Sequence, residues 1–267
     1  MGVDFLLTEF FRNFAVSPLF FSPTEPAESR LDCLRFAELL RSGEYKSEGP
    51  GVEFQTMSDP NNYKIGISKQ ELGQLPAAHF PGAIQLIDKP EDVASAVEEL
   101  RKARVIGFDT ETRPAFQKGQ YHSVALLQLS TESRCFLFRL NILGMQDEIR
   151  DLLEDPSVKK IGLSTHDDFH NLNRIKRITP AGFFELQEYV GSFKIEDRSL
   201  SKIYALLFGE RISKGQRLTN WEAPELSPHQ QAYAALDAYA CLKIYNYLKS
   251  GNFNPQDSTH KIYPSLQ

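Results

Sequence analysis

VIGFDTET, Val105–Thr112, is the stretch on which the reading of this chain turns. An apolar run enters what should be a core and then carries Asp109 and Glu111, one residue apart. Alternate residues of a strand project to the same face, so both carboxylates leave one strand end together. Like charges held that close repel each other unless a cation or a proton intervenes. Alone, such a pair is more often a solvated strand end, and its surroundings decide between the readings.

Before it, AIQLID reads as a strand. Asp88 stands three residues ahead of Glu91, with Pro90 early in the first turn, which predicts a capped helix start. Val93, Val97, Leu100 and Ala103 continue at helical spacing, and the basic RKAR suits a helix C-terminus. After it come VALLQLS and CFLFRL, separated by the loop PAFQKGQYH and the turn TESR, which predicts an antiparallel meander. A helix over MQDEIRDLLED, a buried strand KKIGLS and a helix starting at Asp167 or Asp168 follow. Two more helices are expected over SLSKIYALLFG and from about Ser227 to Leu248. Strands in a meander, then strands alternating with helices, indicate an α/β domain with a mixed sheet.

The 267 residues, 41% of them hydrophobic, are enough to bury a sizeable core. Cys33, Cys135 and Cys241 are too few and too scattered for a disulfide framework or a close-spaced zinc site, so a reducing cytoplasm is the expected compartment. Asp4, Glu9 and Arg12 interrupt the apolar opening stretch, and neither a targeting signal nor a membrane partner is read there. A net charge of -5 argues against electrostatic coating of nucleic acid, so any such contact must be local. Residues 1–56 hold nine acids against five bases and are rich in Pro, Gly, Ser and Glu. They are expected to be a disordered or loosely docked extension, with one short helix over LDCLRFAELLR. The composition shift also makes Met57 a candidate true start. Residues 57–79 then form a lead-in, 80–250 the folded domain and 251–267 a short polar tail. No phosphate loop or dinucleotide fingerprint is present.

Two further acidic sites stand in this frame. In KKIGLSTHDDFHNL a strand runs into Asp167 and Asp168, where a carboxylate is often only a helix cap. In QQAYAALDAYACLKIY, Tyr233 and Asp237 lie four apart on a helix and reach the same point. Hard divalent cations such as Mg2+ and Mn2+ prefer oxygen ligands, and carboxylates gathered from distant elements build such a site.

With FDTET, GLSTHDDFHNL and YAALDAYA in this order, and with VALLQLS and NWE between them, the chain resembles a DEDD-type 3'-5' exonuclease of the ribonuclease D and Werner-helicase exonuclease group. The resemblance covers roughly residues 80–250. It implies a ribonuclease H-like fold, with a mixed five-to-six-stranded sheet flanked by helices. Asp109, Glu111, Asp168 and Asp237 match the four acidic positions. The spacing from Gly162 to Leu172 selects Asp168 over Asp167, which is left with His166 and His170 as capping or solvated residues. One branch of the family uses a His five residues before the last acid and the other a Tyr four before it. Here those positions hold Ala232 and Tyr233, and His229 lies eight before, so the chain resembles the tyrosine branch.

The resemblance implies hydrolysis of a terminal phosphodiester of DNA or RNA at a free 3' end, releasing nucleoside monophosphates, with two divalent cations, Mg2+ or Mn2+. Asp109, Glu111 and Asp237 would hold the first ion, Asp109 and Asp168 the second, and Tyr233 would orient the attacking water. Lys214 and Arg217 are candidate phosphate contacts. Phe116, Tyr121 and His122 are candidate base-stacking residues, and Thr110 between the acids is a candidate substrate contact. Gln128 and Trp221 are assigned to the core. The rival reading is a non-catalytic nucleic-acid-binding module, and nothing identifies a protein partner.

Overall fold

The structure is a computed structural model that describes residues 61–117 and 119–264. The readings made for residues 1–56, the LDCLRFAELLR helix included, and for Met57 lie outside the described residues. The first part of the fold comprises β1 (Lys64–Ile65), α1 (Lys69–Gln74), β2 (Ala83–Ile87), α2 (Pro90–Ala103), β3 (Val105–Thr112), β4 (Val124–Ser130) and β5 (Arg134–Phe138). Then come α3 (Leu140–Leu143), α4 (Asp147–Leu153), β6 (Lys159–Gly162), α5 (Thr165–Ile175), β7 (Phe183–Glu185), α6 (Leu186–Gly191), α7 (Leu200–Phe208), α8 (Pro228–Lys249) and β8 (Lys261–Ile262).

Six strands form one sheet in the order β2-β5-β4-β3-β6-β7. The predicted meander is there, since β3 pairs antiparallel with β4 and β4 antiparallel with β5. The pairs β2–β5, β3–β6 and β6–β7 are parallel, which makes the sheet mixed. Every residue of β4 is buried because helices cover both faces. On one face Val97, Leu100, Ile149, Leu152 and Leu172, from α2, α4 and α5, pack on Phe108, Leu127 and Phe136. On the other, the alanines of α8 and Trp221 meet Leu126 and Leu137.

The placement of α8 depends on a missing side chain. A Cβ on Gly107 would lie 1.8 Å from the carbonyl oxygen of Ala238, so only glycine lets the helix backbone come this close to β3. Ser227 and Gln230 form a reciprocal capping box at the start of α8, with Pro228 in the first turn.

Three details differ from the expectations. The N-cap of α2 is Lys89, with no side-chain hydrogen bond, so Pro90 opens the helix without the expected Asp88 cap. The sheet has six strands, within the expected five to six, but the segment that forms the sixth was not read as a strand: β7 is three half-buried residues that pass directly into α6. The lead-in and tail join the folded unit: β1 pairs with β8, Ile65 donates to the Lys194 carbonyl at 2.8 Å, and Tyr63 and Ile65 are buried against Ile195 and Ile203. Ordered structure therefore extends past residue 80 on one side and past residue 250 on the other. Among the described residues no helix is long and apolar enough to cross a membrane.

Candidate active site

Asp109 and Glu111 leave the end of β3 on the face that α8 covers, and the close approach at Gly107 brings Asp237 down to them. Each of these three acids offers a carboxylate oxygen, and the three oxygens lie within 4.8 Å of one another. Asp237 is only 6% exposed. Burial, with the neighbouring charge of Asp237, pushes the Glu111 carboxyl up to about 9. Burial pushes Asp237 up to about 7, against the opposing effects of a hydrogen bond from Tyr233 and the charge of Arg217. Asp109 is raised well above the carboxylate range by burial and by Asp237, Glu111 and Asp168. An all-oxygen donor set that holds more negative charge than it can tolerate fits a hard divalent cation.

Tyr233 sits one turn before Asp237 and donates its hydroxyl to that carboxylate. Burial and the adjacent acids raise its own pKa, so the phenol keeps its proton. Its ring lies 6.1 Å from that of Trp221, tilted by 35°. Beneath the acids Cys241 is fully buried, and burial keeps it a neutral thiol.

The fourth acid arrives differently. Asp168 is in the first turn of α5, where burial lifts its carboxyl to about 6, and the Thr110 hydroxyl donates to it. Its charge acts on both Asp109 and Glu111. Asp167 points away, with a side chain 94% exposed. The helix begins at Thr165, ahead of the expected Asp167 or Asp168. Ser164 takes a left-handed conformation with φ of 62° and has no side-chain cap of its own. Glu185 of β7 supplies the missing acceptor, taking the Ser164 and Thr165 amides at 2.9 Å each. A cap donated by a neighbouring strand leaves no local signal, which is why sequence reasoning missed Glu185.

A cavity of about 320 Å³ opens over the cluster, lined by Asp109, Glu111, Tyr233, Asp237, Lys214 and Arg217 among others. Thr110 also lines it, although its hydroxyl is committed to Asp168. Phe116 and Tyr121 are 78% and 74% exposed and do not line the cavity. His122 is anchored, its Nδ1 lying 3.0 Å from Glu222, which also holds Arg113 at 3.2 Å. Glu222 is therefore a second residue that the sequence reading passed over, within the NWE it noted. Arg139 fixes the same segment by donating to the carbonyls of Ala223 and Pro224 at 2.5 and 3.2 Å. Gln128 and Trp221 are fully buried, Gln128 directly across the ladder from Asp109.

Residues 84–251 match the family model described as 3'-5' exonuclease. The chain belongs to the 3'-5' exonuclease family. The bifunctional 3'-5' exonuclease/ATP-dependent helicase WRN of Mus musculus is 33% identical over 189 residues, which cover 67% of this chain and 13% of that protein. Exonuclease 3'-5' domain-containing protein 2 of Drosophila melanogaster is 34% identical over 149 residues, 54% of this chain and 25% of that one. The matched chain thus spans a quarter or less of either relative. Among solved structures, the Nibbler EXO domain of Aedes aegypti has a TM-score of 0.59 at 19% identity, covering 68% of this chain and 97% of its own. A complex of Trypanosoma brucei RNase D with RNA U12 has a TM-score of 0.56 at 24% identity, covering 63% of each chain. The exonuclease-family chain shares with them the ribonuclease H-like fold, and its membership supports a nuclease function.

Proposed function

We propose that this chain is a metal-dependent 3'-5' exonuclease of the tyrosine branch, which hydrolyses the terminal phosphodiester of a nucleic acid strand and releases nucleoside monophosphates. The observation that carries the reading is the convergence of Asp109, Glu111 and Asp237 within 4.8 Å, in a buried setting that resists three negative charges. Two divalent cations, Mg2+ or Mn2+, would be held by these acids together with Asp168. When bound, such ions supply Lewis acidity toward water and phosphoryl oxygens and stabilise the leaving 3'-oxygen.

The chain's own groups do the rest. Tyr233 keeps its proton, so it orients the attacking water by hydrogen bonding and leaves the base role to other groups. Water oxygen adds to phosphorus and gives up a proton to solvent, while the bond from phosphorus to the 3'-oxygen breaks and that oxygen takes a proton from solvent. Lys214 and Arg217 flank the cavity and are suited to phosphate oxygens. Thr110 holds Asp168 in place, acting as a positioning residue. The substrate is nucleic acid with a free 3' end. Cys135 and Cys241 are free and buried, which supports a reducing cytoplasm as the compartment.

A 5'-labelled oligonucleotide should shorten stepwise from its 3' end in Mg2+ or Mn2+, and Asp109→Asn should slow this by roughly a thousandfold. Absence of shortening by the folded wild-type chain, or an unchanged rate in the variant, would favour the non-catalytic binding module instead.

A further inference from the structure

Tyr121 lies on the loop after β3, is 74% exposed and stands outside the cavity. Its ring is nevertheless not isolated, because the Arg174 guanidinium lies over it at 5.1 Å from the centroid. A large ring left this open on a soluble surface, with a cation held at one face, combines the two features that single-stranded nucleic acid uses for binding: a π-surface for a base and a positive charge for the adjoining phosphate. Arg113 pairs with Glu222 and Lys176 with Asp147, whereas Arg174 makes no ion pair among the described residues.

The position of this pair along the fold adds the second argument. Asp168 and Arg174 belong to the same helix, α5, with Asp168 in its first turn at the acid cluster and Arg174 in its last. Six residues of helix rise roughly 9 Å, which is two to three nucleotides of a stacked strand at about 3.4 Å each. His170, one turn before Arg174 and on the same face, is exposed as well.

We infer that Tyr121 and Arg174 form a stacking contact for an unpaired base two to three nucleotides upstream of the bond being cut. The direction of the strand rests on the exonuclease reading above. A base inside a duplex has both faces covered by its neighbours, so this contact selects a single-stranded 3' segment of roughly four or more nucleotides over a blunt duplex end.

The test is binding, so that it does not depend on cleavage. The full chain carrying Asp109→Asn is titrated, with Ca2+ present, against a fluorescein-labelled eight-nucleotide single strand and a blunt duplex of the same length. Adding Tyr121→Ala or Arg174→Ala should weaken single-strand binding by roughly tenfold and duplex binding by less than about twofold. Tyr121→Phe, which keeps the ring, should restore the single-strand affinity. Equal losses on both ligands, no loss on either, or no binding of the single strand at all would overturn the inference. Failure of the exonuclease reading would show instead as an intact oligonucleotide in the wild-type cleavage assay, with the Tyr121 dependence of binding unaffected.

Discussion

Asp109, Glu111 and Asp237 project from a contact in which one absent methyl group lets α8 cross β3, whereas Asp168 reaches them from a helix whose start hangs on hydrogen bonds from Glu185. The first three acids are placed by packing, which tolerates little change before the whole contact shifts. The fourth is placed by polar groups that can be removed singly, each with a modest effect. One site thus combines a part that fails all at once with a part that can be tuned.

Gly107→Val should break the packed half outright. Its side chain would start 1.8 Å from the Ala238 carbonyl oxygen, so stability should fall by at least about 3 kcal/mol. The shift in denaturant midpoint measures this, and a loss below about 1 kcal/mol would mean that packing does not set the distance between the acids.

Proton linkage sharpens the comparison at intermediate size. Glu111 titrates near 4.5 when unfolded and about 9 when folded, and Asp237 near 3.8 and about 7. The folded state therefore binds more protons across this window, so the stability present below about pH 4 is lost progressively as pH rises to about 9. In chelator, melting temperature should fall from pH 5 to pH 9. At neutral pH, Mn2+ at a hundred times its dissociation constant should recover about 2.7 kcal/mol. Asp109→Asn should blunt both effects in thermal melts, and a pH-independent, metal-insensitive melt would contradict a repelling cluster.

The smallest effect belongs to the hydrogen-bonded half. Thr110→Val removes the donor to Asp168 while keeping the shape, and should cost about 1 kcal/mol of stability and roughly tenfold in turnover. Thr110→Ser should retain most of both in steady-state assays. Equal rates for the Val and Ser variants would remove Thr110 from the positioning of Asp168.

The packed half was legible because strand alternation and helix periodicity are local: FDTET alone puts two acids on one face, and the four-residue step from Tyr233 to Asp237 stacks them on another. The meander of β3, β4 and β5 was legible from apolar runs separated by short connections. In the hydrogen-bonded half Asp168 itself was read, but the groups that hold the site's polar framework were not, since Glu185 acts on Ser164 from 21 residues away and Glu222 on His122 from 100. Neither carboxylate differs in sequence from a solvated one. Thr110 was read as a candidate substrate contact, and its role at Asp168 was missed because that partner lies on a separate helix. The strand β7 is short enough that no alternation can develop, and β1 and β8, two residues each, exist only as a pair.

That last pair has a mechanical consequence. Because β1 and β8 are antiparallel, with Lys64 opposite Ile262, the chain enters and leaves this ladder at the same end. Tension applied through residues 64 and 262 would peel its bonds apart in sequence and would not shear them together. The pair would yield before the six-stranded sheet is loaded, so a pulling experiment across these two points should record a weak early opening followed by a separate, stronger event at the sheet.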